Sequence, residues 1–192
     1  MKVIGFTGNY GLEEDLTQSY LMTDSAILYS GRPFFIHDFA REFVATPSIV
    51  VRTCRLGKAI APKFAHRYWD AFTAGFAVRA CDDSDRAMVA LDRAFDGAAI
   101  VGDWVEASTV DDPMHAVVSL AVNGEEIAAC SLASMTAMPL DNMLAAVSTR
   151  CSIKMGDLLF TGEAGAAHTL APGDCLTASI AGRQVLDVKV RL

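Results

Sequence analysis

The stretch from residue 117 to residue 130 constrains the fold most. Two β-prone apolar runs, residues 117–122 and 125–130, flank Asn123-Gly124. Asn and Gly accept the two positive φ angles of a type I′ turn, whose twist matches that of paired strands. This segment therefore predicts an antiparallel hairpin whose side chains point alternately to two faces.

The rest of the chain extends that reading. Residues 2–7 read as a strand, followed by a turn at Gly8-Asn9-Tyr10-Gly11. Residues 26–29 and the β-branched run 48–53 read as further strands, with Pro47 at a strand start. Phe64, Ala65, Tyr68, Trp69 and Phe72 fall at helical spacing and predict a helix over 62–72, with Pro62 in its first turn. A strand is expected over 73–80, then a helix over 84–95 capped by Ser84, then a strand over 98–107. Leu140, Met143, Leu144 and Val147 recur at i, i+3, i+4 and i+7 and predict a helix over 139–149. Two similar units close the chain: Gly156-Asp157 before an apolar run, and Pro172-Gly173-Asp174 before residues 175–180. Gly182-Arg183 then turns into the strand 184–190. The sum is α+β but mostly β, a rolled mixed sheet with about three short helices, in a single domain over residues 1–192.

Charge and cysteine content narrow the function classes. The net charge is -7 and no Lys/Arg run occurs, which argues against a nucleic-acid partner. The five cysteines are odd in number and irregular in spacing, so neither a disulfide framework nor a zinc site is expected. They read as buried small hydrophobes in a reducing, cytoplasmic setting. Neither a signal peptide nor an apolar stretch of about 18 residues is apparent, so no membrane association is expected.

The ordered motifs then point to a family. Val122-Asn123-Gly124-Glu125, the helix with Leu144 and Ser148, Met155-Gly156-Asp157-Leu158-Leu159-Phe160-Thr161-Gly162, and Leu170-Ala171-Pro172-Gly173-Asp174 follow one another. Upstream stand Gly31-Arg32-Pro33-Phe34, Val50-Val51-Arg52-Thr53-Cys54-Arg55-Leu56-Gly57-Lys58 and Arg93-Ala94-Phe95-Asp96-Gly97. Together these resemble the fumarylacetoacetate hydrolase family. The resemblance implies a mostly β roll, often a homodimer, and cleavage or rearrangement of β-diketo and 2-oxo acids around Mg, Mn or Ca. A hard cation of this kind needs several oxygen ligands, some of them charged, and acts as a Lewis acid toward a developing enolate.

By the same resemblance, the family's two Glu ligands fall on Thr46 and Ser48, and its Asp falls on Ala77. Two hydroxyls and a methyl replace three carboxylates, so no cofactor is expected and no metal ligand is assigned. The family's Arg position falls on Gly8, its acid/base His on Glu13, one Lys on Met22 and another on Arg93, and its "TGTP" loop reads Thr161-Gly162-Glu163-Ala164.

Several residues remain as candidates. Glu13 and Glu163 are the candidate acid/base pair, against the alternative of two solvated loop carboxylates. Tyr10, Arg93, Thr161 and Gly162 are candidates for contact with a small carboxylate ligand. Arg93 offers a bidentate fork, although an ion pair with Asp92 or Asp96 explains it as well. Asp82 and Asp83 precede the expected helix as a turn. The scattered histidines form no Ser-His-Asp arrangement. Two functions follow: a catalytically silent, homo-oligomeric binding or structural module, or a hydrolase or decarboxylase of 2-oxo acids with a relocated, metal-free site.

Overall fold

The computed structural model describes residues 1–11, 18–81 and 86–192. Its strands, in chain order, are β1 (Val3–Phe6), β2 (Ser19–Met22), β3 (Ile27–Tyr29), β4 (Phe34–Phe35), β5 (Glu42–Thr53), β6 (Trp69–Cys81) and β7 (Ala99–Val101). They continue with β8 (Val105–Glu106), β9 (Val118–Val122), β10 (Glu125–Cys130), β11 (Leu158–Phe160), β12 (His168–Thr169), β13 (Cys175–Ile180) and β14 (Arg183–Arg191). The larger sheet runs β2-β1-β11-β5-β6-β7-β3, with β12 added to β5 and β8 to β6. The smaller runs β10-β9-β13-β14-β4. Most pairings are antiparallel; β1/β11, β3/β7 and β4/β14 are parallel.

Alternation on the long strands builds two cores. Ala45, Ile49 and Val51 of β5 join the main core with Leu120, Leu176 and Leu186 of the smaller sheet. Val50 of β5, Ala77 of β6, Phe160 of β11, Val3 of β1 and Met22 of β2 form a second apolar cluster on the opposite face. Both faces of β5 and β6 are thus covered, which is why these strands read as near-continuous apolar runs.

The hairpin and the last helix form as expected. Asn123 and Gly124 have φ of 54° and 84°, and β9 pairs with β10 around them. The α-helix α1 spans Leu140–Arg150 and buries Leu140, Met143, Leu144 and Val147. Lys58 Nζ donates to the carbonyls of Thr149 and Arg150, both at 3.2 Å, placing a cation at the negative end of α1. Ser148, also buried, accepts the backbone N–H of Ile60 at 2.8 Å.

The two Gly-Asp turns share one device. Asp157 accepts the backbone N–H of Lys154 and of Lys2, both at 2.8 Å, and pairs with the Lys2 ammonium. Asp174 accepts the backbone N–H of Ala171 at 2.9 Å, the Asn123 amide at 2.8 Å and pairs with His168 at 2.8 Å. Each aspartate closes its own turn and pins a remote segment, so these motifs are scaffold.

Several expectations need correction. Residues 62–72 are not one helix: Pro62–Arg67 is a 3-10 turn and β6 begins at Trp69. The aromatic positions that matched a helical stripe lie partly on a strand covered on both faces. Among the described residues of the 84–95 range there is no α-helix: Arg86–Leu91 is 3-10, and Ser84 lies outside the described residues. Among the described residues α1 is the one α-helix; the other helical pieces are 3-10 turns. The 98–107 strand is split into β7 and β8. The final turn is centred on Ala181 and Gly182, with Arg183 already paired to Ile180. Pro47 lies inside β5, opposite Phe76, rather than before it. The carbonyls of Pro47 and Ile49 accept from Ala164 and Thr161, so Pro47 turns its nitrogen toward that loop and not toward β6. Of the five free cysteines only Cys130 is buried, and burial pushes its thiol up to about 12. No helix among the described residues is long and apolar enough to cross a membrane.

Candidate functional site

The middle of the β5–β6 ladder brings three small side chains together. Thr46 and Ser48 are two residues apart on β5 and so share a face. Thr46 stands opposite Ala77, and Ser48 opposite Gly75. All three are buried, with exposures of 7%, 1% and 3%. Their face is the one that carries the second apolar cluster, next to Val50 and Phe160. The Ser48 hydroxyl donates to the Ile49 carbonyl at 3.2 Å.

On the main-core side of β5, two loops are locked together through Asn9, with Tyr10 and Ala164 packed against that core. With φ of 78°, Asn9 sits in the left-handed region that Asn tolerates better than most residues. Its amide donates to the Thr161 carbonyl at 2.7 Å and the Met138 carbonyl at 3.1 Å, and its side-chain oxygen accepts the Met138 N–H at 2.7 Å. The Tyr10 hydroxyl meets the Thr161 hydroxyl at 2.8 Å, and Thr161 Oγ1 donates to the Ile49 carbonyl at 2.9 Å. Burial raises the Tyr10 phenol well above its ordinary value, against the Thr161 hydrogen bond, which lowers it. Gly162 has φ of 139°, and an added Cβ would come within 2.4 Å of the Gly8 carbonyl, so the loops require glycine here. Glu163 completes the clasp: its N–H donates to the Gly8 carbonyl at 2.8 Å, and Oε2 accepts the Gly8 N–H at 3.3 Å.

On the other side, Tyr20 lies flat over Gly5, where a Cβ would fall 2.1 Å from the ring. The Arg93 guanidinium stacks on Tyr20 at 4.3 Å from the ring centre. Burial pushes the Tyr20 phenol up to about 12; Arg93 opposes that shift and Glu163 adds to it. Tyr20 therefore stays a neutral donor near pH 7. It lines a cavity of about 760 Å³ together with Arg79 and Arg93.

The model of the family described as "Fumarylacetoacetate (FAA) hydrolase C-terminal" matches residues 10–191. The chain belongs to the fumarylacetoacetate hydrolase family. Solved structures of several proteins share its fold. Fumarylpyruvate hydrolase from Pseudomonas aeruginosa, in complex with Mn2+ and pyruvate, superposes with a TM-score of 0.87 at 20% identity, covering 100% of this chain and 90% of that one. For 2-hydroxyhepta-2,4-diene-1,7-dioate isomerase from Mycobacterium marinum the TM-score is 0.85 at 21% identity, covering 99% and 74%. For maleylpyruvate hydrolase from Sphingobium it is 0.83 at 19% identity, covering 98% and 71%. At these identities the likeness is one of fold. No curated protein is similar enough in sequence to count as a match.

The donor set at Thr46, Ser48 and Ala77 does not fit the divalent cation that the family resemblance implies. A methyl donates nothing, and two neutral hydroxyls supply none of the negative charge a hard dication needs. Among the described residues no group of three or more His, Cys, Asp or Glu side chains is placed to hold a metal ion.

The structure brings Tyr10, Thr161, Gly162 and Glu163 into one clasp, where Tyr10 and Thr161 have bonded their hydroxyls to each other. Arg93 stands apart, at Tyr20, and makes no ion pair with Asp96. Glu13 lies outside the described residues, as do Asp82 and Asp83. Asn9, Tyr20 and Arg79 were not singled out as site residues in the sequence analysis beyond the turn that contains Asn9. The Gly-Asn-Tyr turn was the available signal for Asn9. Tyr20 and Arg79 sit on strands with no motif to mark them.

Proposed function

We propose that this fumarylacetoacetate hydrolase family chain has given up divalent-metal chemistry and serves as a homo-oligomeric binding module. The observation that carries the reading is the Thr46–Ala77 seam: all three positions converge on one buried face, and all three are neutral. The cavity edge keeps groups suited to a carboxylate, Arg93 stacked on the neutral Tyr20 phenol. The family fold supports recognition of small acids, and the loss of charge at the seam removes the cation that would activate them.

Oxaloacetate decarboxylation and acylpyruvate hydrolysis, assayed with Mg2+ and with Mn2+, should proceed no faster than without protein. Turnover that depends on either metal would overturn the reading. One observation favours a second reading with a relocated site: Glu163 is held by the loop that carries Tyr10. Metal-free turnover abolished both by Glu13→Ala and by Glu163→Gln would establish that site instead. Sedimentation showing a stable monomer would remove the oligomeric part of the proposal.

A further inference from the structure

The cavity beside Tyr20 gathers cationic side chains in a chain whose net charge is -7. Arg79, Arg93 and Arg150 line it, and Asp92 is the acidic residue among its described lining residues. Apolar walls come from Ile4, Leu21, Val89 and Val147. A volume of about 760 Å³ lies within the range typical of small-molecule sites, roughly 300–1,000 Å³.

Two of these arginines belong to the cleft. Arg79 is two residues beyond Ala77 on β6 and so projects from the same face as the seam. The N–H groups of Val78 and Ala80 donate to the carbonyls of Ala98 and Asp92, at 2.7 and 2.8 Å. These bonds lay the 92–98 segment along β6 and carry Arg93 to the side of Arg79. Neither guanidinium forms an ion pair with a described carboxylate. Stacking on Tyr20 uses the face of the Arg93 guanidinium and not its in-plane N–H donors.

We propose that Arg79 and Arg93 form a metal-free site for the anionic head of an organic acid with an apolar body. The proposal rests on the reading that the cleft has lost its cation. Two guanidinium groups on the rim then supply the positive charge that a divalent ion would bring, with forked donors matched to a carboxylate. The Tyr20 phenol adds a neutral donor, and the apolar walls favour a hydrocarbon body over a bare inorganic anion.

The test is calorimetry on the full chain in EDTA, with octanoate, oxalate and inorganic phosphate as probes. Octanoate should bind saturably and at least tenfold more tightly than phosphate or oxalate. Arg79→Met and Arg93→Met should each weaken octanoate tenfold or more while the thermal unfolding midpoint holds. Arg93→Lys should recover part of the loss, and Arg183→Ala, on the exposed final hairpin, should change nothing. The proposal is overturned by no octanoate binding, by binding that either Met variant leaves intact, or by phosphate or oxalate binding as tightly as octanoate. Octanoate binding that appears only in a parallel titration with excess Mg2+ in place of EDTA would instead sink the underlying reading of the cleft. Absence of both metal and octanoate binding would sink this proposal alone.

Discussion

Thr46 and Ala77 face one another across the β5–β6 ladder, a neutral hydroxyl against a methyl at the centre of a buried sheet face. Ser48 extends the same row by one pleat. A methyl and two hydroxyls pack beside Val50 and Phe160 at little desolvation cost, whereas three carboxylates in the same place would need a cation to be tolerated.

Introducing charge at the seam should show this directly. Ser48→Glu places a carboxylate at a position 1% exposed, with no described cation against it, and is expected to destabilise the fold by about 3–5 kcal/mol. The triple variant Thr46→Glu, Ser48→Glu, Ala77→Asp should be unstable alone and regain stability with Mn2+. Urea unfolding with and without the metal measures both effects. A tolerated Ser48→Glu would mean that the face is open to water.

Asn9 should be a keystone of stability. Asn9→Ala removes three side-chain hydrogen bonds, leaves the buried Thr161 carbonyl without its Asn9 partner, and puts Ala at a positive φ. A loss of about 3 kcal/mol is expected from denaturant unfolding. Asn9→Gly should lose about 1 kcal/mol less, because glycine accepts the backbone angle. Equal losses would mean that the backbone angle contributes nothing.

Sequence signals were strongest where structure is set locally. The Asn123-Gly124 turn needs only its own two residues, and α1 announces itself through four buried positions at helical spacing. The stretch 62–72 was misread because β6 is covered on both faces, so alternation vanished and its first aromatics imitated a helical stripe; the strand expected over 73–80 does form, as part of β6. Pro47 hid the first half of β5, since its tolerance there depends on a loop more than one hundred residues away. At the site, Thr46, Ser48 and Ala77 could be assigned only through family motifs. Their convergence follows from the β5–β6 register, which no local pattern encodes. Arg79 gave no signal, since its role depends on the distant 92–98 segment.

Acid stability should reflect Asp174. Burial raises its pKa, but hydrogen bonds from Asn123, the Ala171 N–H and His168 outweigh that and hold it below the ordinary carboxylate value. A carboxyl that is more acidic in the folded state stabilises the fold above its unfolded pKa of about 3.9. That stability is lost as pH falls through the lower folded value. Asp174→Asn should lower stability at pH 7 and flatten the acid limb of the stability–pH curve below about pH 4. Urea midpoints measured across that range check it; an unchanged acid limb would mean that other carboxylates dominate.

The most direct test is titration of the full chain with MnCl2 by isothermal calorimetry, paired with electron paramagnetic resonance of the free ion. The expected result is no saturable heat and a free-ion signal equal to that of buffer up to millimolar metal. Stoichiometric binding at micromolar affinity, lost on Thr46→Val or Ser48→Ala, would show that the seam holds a cation after all.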